Sequence, residues 1–162
     1  MDVGEYLRLA VSLVLGLGSD AAILGGLVIV AFGIAFLLGR DHIPALIAGS
    51  YAAALMYTAF PFTSILMGDA YISIAFFLVL TALASVGFSG MSSFFASGMG
   101  LFSTMVLCVL AAGLVASSAL THIPEIQTIY TPSSLGLMLF SGQAYFWWLV
   151  TPIAGLVFFG RG

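Results

Sequence analysis

Residues 70–121 read AYISIAFFLVLTALASVGFSGMSSFFASGMGLFSTMVLCVLAAGLVASSALT, and no Asp, Glu, Lys or Arg occurs among them. A helix crosses the hydrocarbon core of a bilayer with about 20 apolar residues, so this stretch is far too long for one crossing. The Gly- and Ser-rich patch Gly87-Phe88-Ser89-Gly90-Met91-Ser92-Ser93 divides it. Two spans are expected, about 70–87 and 101–120, the first opened by Gly68-Asp69.

The rest of the chain follows the same logic. Of 162 residues, 62% are hydrophobic, about 100 in number, and 6% are charged. That apolar stock matches about five spans, whereas a soluble domain carries about 25% charged residues. A soluble globule, a disordered chain and a nucleic-acid binder working through a basic patch are excluded. The expected fold class is all-α: a polytopic integral membrane protein with about five transmembrane helices. Residues 1–162 form a single membrane domain with spans at about 21–38, 43–60, 70–87, 101–120 and 144–159.

An N-terminal amphipathic helix over 3–17 is expected to lie at the membrane interface. Asp2, Glu5, Arg8, Ser12 and Gly16 recur there every three or four residues as a narrow polar stripe. Gly16-Leu17-Gly18-Ser19 is expected to break it. Gly39-Arg40-Asp41-His42 reads as a tight turn joining spans one and two as a hairpin, with Pro44 in the first turn of span two and Pro61 beyond its end. Ser133-Ser134 is expected to cap a short amphipathic or re-entrant turn over 135–140. Trp147 and Trp148 suit an interfacial aromatic belt, and Pro152 bends the last helix by freeing the Trp148 carbonyl.

Charges at mid-membrane depth are costly and usually functional, and here almost all fall at expected helix ends. Asp20 (with Ser19), Asp41 and Asp69 read as N-caps of spans one to three. Arg40 and Arg161 follow the C-terminal ends of spans one and five, where a cation is favoured. The Lys and Arg balance places the Arg40 turn and the C-terminus in the cytoplasm and the N-terminal helix outside.

His42 and His122 have no second His or carboxylate at ligand spacing, so no metal site is expected. Cys108, among apolar residues, reads as a small buried hydrophobe, and no cofactor motif occurs. Tyr51, Tyr57 and Phe60 read as packing residues. Ala45, Gly49 and Ala53, Ala22 and Gly26, and Gly113 and Ser117 repeat at four-residue spacing, a pattern for close helix packing within the chain or in a homo-oligomer.

Gly87-Phe88-Ser89-Gly90 resembles the GxSG of rhomboid intramembrane serine proteases, which implies Ser89 as nucleophile with a histidine on another helix as base. Rhomboids resemble six-span bundles with that histidine inside a later Gly-containing helix, whereas His122 stands beside Pro124 and His42 stands in a turn. No enzyme is expected on this ground.

A broader resemblance runs through Gly39-Arg40-Asp41-His42-Ile43, the Ala-rich span to Ala59-Phe60-Pro61-Phe62, and Phe146-Trp147-Trp148-Leu149-Val150-Thr151-Pro152. In these blocks the chain is similar to small uncharacterised polytopic bacterial membrane proteins. The likeness implies four or five spans and a plasma-membrane home, and brings no site residues. The colicin V production family shares size and span number, but none of its local motifs occurs here.

The expected role is structural, assembly or partner-binding in the plasma membrane, the partners being lipid, a second copy or another membrane protein, and no nucleic acid. A small transporter or pore subunit is the alternative; Ser85, Ser89, Ser92 and Ser93 on one helical face are its candidate polar lining.

Overall fold

A computed structural model of the chain describes residues 3–40, 42–61, 69–91, 100–123 and 125–159, with side chains from residue 18 onward except those of 91, 128 and 135. The expected roles of Asp41, Ser92, Ser93, Pro124 and Arg161, and the polar stripe before residue 17, lie outside what is described. Among the described residues all regular structure is helical: α1 (Val3–Leu37), α2 (His42–Thr58), α3 (Ala70–Phe88) running into a 3₁₀ turn (Ser89–Met91), α4 (Leu101–His122), and the short α5 (Ile126–Ile129) and α6 (Ser134–Phe140). The series ends with α7 (Gln143–Phe159). Three segments are long and apolar enough to cross a membrane: Gly18–Leu37, Ala70–Phe88 and Leu101–His122. The other two expected spans, α2 and α7, have 17 residues each, about 25 Å of helix.

The first helix departs from the pattern expected of its sequence. No break occurs at Gly16-Leu17-Gly18-Ser19; α1 is one helix of 35 residues, about 52 Å long. A glycine inside a helix costs about 1 kcal/mol. In apolar surroundings a broken turn leaves backbone groups without partners, which costs several kcal/mol each. Continuation wins. Asp20 is therefore no cap but an interior residue of α1.

Other boundaries fall where local chemistry puts them. Asp69 caps α3, its carboxylate accepting the Tyr71 amide at 2.9 Å. Ser133 caps α6, its hydroxyl accepting the Gly136 amide at 3.0 Å. The α1–α2 turn needs Gly39, whose φ of 104° lies in the left-handed region.

The helices pack around α4, which touches α1, α2 and α7, while α3 lies chiefly on α2. Small residues let the helices approach, and larger apolar side chains fill the space between them. Ala31 and Ala35 of α1 meet Ile43 and Ile47 of α2 and Leu107, Cys108, Ala111 and Leu114 of α4. A second cluster joins Ala53, Ala54 and Tyr57 to Phe77 and Ile123. Many other large apolar side chains point outward: Phe36 and Phe158 are each 82% exposed. Small residues at helix contacts are the pattern of helices packed in lipid, and so broad an exposed apolar surface is foreign to a monomer in water.

Three buried hydroxyls close on their own helices. Ser50, Thr81 and Thr104 each donate to the carbonyl four residues back, at 2.8, 2.9 and 3.0 Å. The small-residue faces of α2 and α4 are consumed within the chain. Gly49 faces the Ser85 backbone and Gly113 the Trp148 ring, and Ser117 donates to the Phe140 carbonyl at 2.5 Å. On α1, Ala22 and Gly26 are exposed. Trp147 is exposed as a belt residue would be. Trp148 turns inward, stacks on Phe140 at 5.5 Å and donates from Nε1 to the Leu139 carbonyl at 2.7 Å.

Candidate functional site: a groove between α1 and α3

α1 and α2 meet at their turn and then diverge, because α2 is drawn to α3 while α1 is drawn to α4. The Gly49–Ser85 approach fixes the first pairing, and Ala31 and Ala35 against Leu107 and Ala111 fix the second. The divergence leaves a cavity of about 510 Å³ walled by α1 and α3 and floored by α2 and α4. Its walls carry Val30, Ile34 and Leu38 on α1 and Leu78, Val86 and Ser89 on α3; Ala45, Ala111 and Val115 form its floor. Val30, Leu38, Leu78 and Val86 are exposed, so the cavity opens sideways as a groove on the outer surface.

Polar groups gather toward one end. His42 stands at the start of α2, and Ser89 at the end of α3, with Ser85 and Thr81 one and two turns deeper. Each hydroxyl is spoken for as a donor: Thr81 to the Phe77 carbonyl at 2.9 Å, Ser85 to Thr81 at 2.6 Å and Ser89 to Val86 at 2.7 Å. His42 is different, for its Nδ1 is buried without a hydrogen-bond partner. An unpartnered buried nitrogen costs about 1–3 kcal/mol, and in native proteins such groups usually mark a missing partner or a functional role. Among the described residues, no Asp, Glu, Lys or Arg lines the groove.

The structure thus brings together two residues that sequence reading kept apart. Ser89 of the GxSG stretch and His42 of the first turn line one cavity. In this arrangement His42 Nδ1 is unpartnered and the Ser89 hydroxyl donates to the Val86 carbonyl of its own helix. The shared face of Ser85 and Ser89 follows from their spacing of four, but their meeting with His42 needs the α2–α3 register, which no local signal carries.

No family model, curated protein or solved structure matches the chain. The groove therefore has to be read from its own chemistry.

The other candidates resolve into fastenings between helices. His122 Nε2 lies 3.0 Å from Tyr145 Oη, with the rings edge to face, and ties the end of α4 to the start of α7. Tyr51 Oη donates to the Leu149 carbonyl and ties α2 to α7. Cys108 is buried in the α1–α2–α4 core. Among the described residues no three His, Cys, Asp or Glu side chains come together as metal ligands.

Asp20 makes the longest-range polar fastening. Its carboxylate accepts the Ser133 hydroxyl, and the Ser133 amide at 3.4 Å. Gly136 allows the approach, since a Cβ there would fall 2.9 Å from Asp20 Cγ. The carboxylate thus braces the capping residue of α6 against α1. Asp20→Ala is expected to raise hydrogen exchange at the Ser133 and Gly136 amides about tenfold, with Asp20→Asn, which keeps one acceptor, in between. Unchanged exchange in both variants would show that the brace contributes nothing.

Proposed function

We propose that this is a multi-pass plasma-membrane protein with a partner-binding role, and that the partner sits in the groove between α1 and α3. In this reading α2 and α7 span the bilayer beside the three longer helices, and the Arg40 turn faces the cytoplasm. The likeness to small bacterial membrane proteins fits the same setting. The observation that carries the proposal is the groove itself. It is a sideways-open cavity of about 510 Å³, within the range of pockets that hold small molecules, with an unpartnered histidine nitrogen beside it.

Packing supports the groove over the small-residue faces of α2 and α4 as the working surface. The faces of α2 and α4 that sequence reading offered to a second copy are already filled by Ser85 and Trp148.

A photo-crosslinking residue tests this in native membranes. Placed at Leu78 in the groove, it is expected to yield a discrete adduct; placed at Phe158, on the exposed surface of α7, it is expected to give only the diffuse labelling of bulk lipid. Ala82→Trp, which adds bulk at an exposed position lining the groove, is expected to reduce the Leu78 adduct several-fold while leaving the melting temperature unchanged. Equal labelling at both sites, insensitive to Ala82→Trp, would overturn the proposal.

A further inference from the structure

We infer that α6 is a re-entrant helix: it dips into the lipid of one leaflet beside α1, α4 and α7, and its outer face, Leu137 to Leu139, lies against acyl chains. The inference shares the membrane setting with the proposal above but not the groove.

No Asp, Glu, Lys or Arg occurs from residue 126 to residue 159, so the connection from α5 through α6 into α7 is uncharged. A helix that lies on a membrane surface needs a strongly polar face toward water. α6 has none, for after Ser134 it reads Leu-Gly-Leu-Met-Leu-Phe. Leu137, Met138 and Leu139 are all exposed, Met138 by 74%. Successive helical residues stand about 100° apart, so these three cover a broad arc, while Gly136 and Phe140 are buried against the bundle. Holding that arc in water is costly, and holding it among acyl chains is not.

The contacts of α6 set its depth. α4 has 22 residues, about 33 Å of helix, which matches a hydrocarbon core of about 30 Å. The Phe140 carbonyl accepts the Ser117 hydroxyl at 2.5 Å. Ser117 stands five residues before the last residue of α4, about 7.5 Å back along the axis. The far end of α6 therefore lies within the length of α4 and not beyond it. The near end is held at the Asp20 carboxylate through the Ser133 hydroxyl and amide, and a carboxylate belongs near water. The chain then returns to the level at which α4 stops, where Tyr145 Oη meets His122 Nε2 at 3.0 Å.

The backbone at the deep end is fitted for such a place. The last four carbonyls of a helix have no partner within it. In water the solvent takes them, whereas in lipid each one left unmet costs several kcal/mol. Three of those four in α6 accept from protein donors. Leu137 takes the Ser141 amide at 3.0 Å and the Ser141 hydroxyl, Leu139 takes Trp148 Nε1 at 2.7 Å, and Phe140 takes the Ser117 hydroxyl. Two of these donors are side chains reaching over from α4 and α7. A helix end standing in water has no need of them; one below the water line does.

The test places single nitroxides by Met138→Cys, Val79→Cys and Gln143→Cys in a Cys108→Ala background, with the whole chain in phosphatidylcholine nanodiscs. Collision rates are read with oxygen, which enters hydrocarbon, and with chromium oxalate, a charged quencher that stays in water. At Met138 the oxygen rate should equal that at Val79, exposed at the middle of α3. The chromium oxalate rate there should lie about tenfold below that at Gln143, exposed at the start of α7, because hydrocarbon excludes charge. Leu139→Cys should give the same pair of values, which guards against a disturbance by the first label. Chromium oxalate reaching Met138 and Leu139 as readily as Gln143 overturns the inference, since α6 then lies in water. Shielding of both sites from oxygen as well overturns it in favour of a protein cover, a second copy or another chain. Chromium oxalate reaching Val79 too would overturn the membrane setting itself.

Discussion

Gly49→Ala is expected to pry α2 from α3 and lower the melting temperature more than any other single change described above. A Cβ at position 49 would fall 2.6 Å from the Ser85 nitrogen and 2.8 Å from its Cα. These are backbone atoms of a neighbouring helix, so no rotamer change relieves the contact and one helix must shift. Overpacking of this kind costs about 1–3 kcal/mol in ordinary cores, and a backbone clash belongs at or above the top of that range. Because α3 carries Thr81, Ser85 and Ser89 into the groove, the shift also changes the groove's width, and the Leu78 adduct should fall with the stability. Gly26→Ala is the matched control. Gly26 is exposed and nothing lies within 4 Å of the new Cβ, so melting should hold or rise with the better helix former. Equal melting of the two variants would show that the α2–α3 contact is looser than described.

Gly113→Ala has the second largest expected effect. Its Cβ would land within the Trp148 ring, and the indole must leave. With it go the Nε1 hydrogen bond to the Leu139 carbonyl and the stack on Phe140, which adds about 1 kcal/mol to the overpacking cost. In a Trp147→Phe background the remaining indole reports directly: its emission should shift and its anisotropy fall. Unchanged emission with unchanged melting would mean that Trp148 does not key α7 to α4.

The parts of this fold legible in the sequence are those set within one turn of chain. Asp69 and Ser133 read as caps because a cap is a local hydrogen bond, and both bind the expected side of their helices. The extent of α3 and α4 followed from hydrophobic length together with the Gly- and Ser-rich patch that divides the uncharged stretch. Gly16–Ser19 misled because glycine and serine weigh toward a break in water, whereas helix continuity dominates when unpaired backbone groups have no water to turn to. Asp20 misled for the same reason. An aspartate ahead of an apolar run looks like a cap, and nothing near it in sequence announces Ser133, 113 residues away. The groove was half visible. The spacing of Ser85 and Ser89 showed a shared face, but which helix that face meets depends on Gly49, and His42 joins it only through the divergence of α1 from α2.

The unbroken course of α1 has a mechanical meaning. A chain that hinged at Gly16–Ser19 would let its first four turns swing freely of everything after them. α1 instead has no joint there, and at that level the Asp20 carboxylate braces it to Ser133. A rod pinned near its middle is a lever: a tilt imposed on the outer arm swings the inner arm through the same angle in the opposite sense. The inner arm is one wall of the groove.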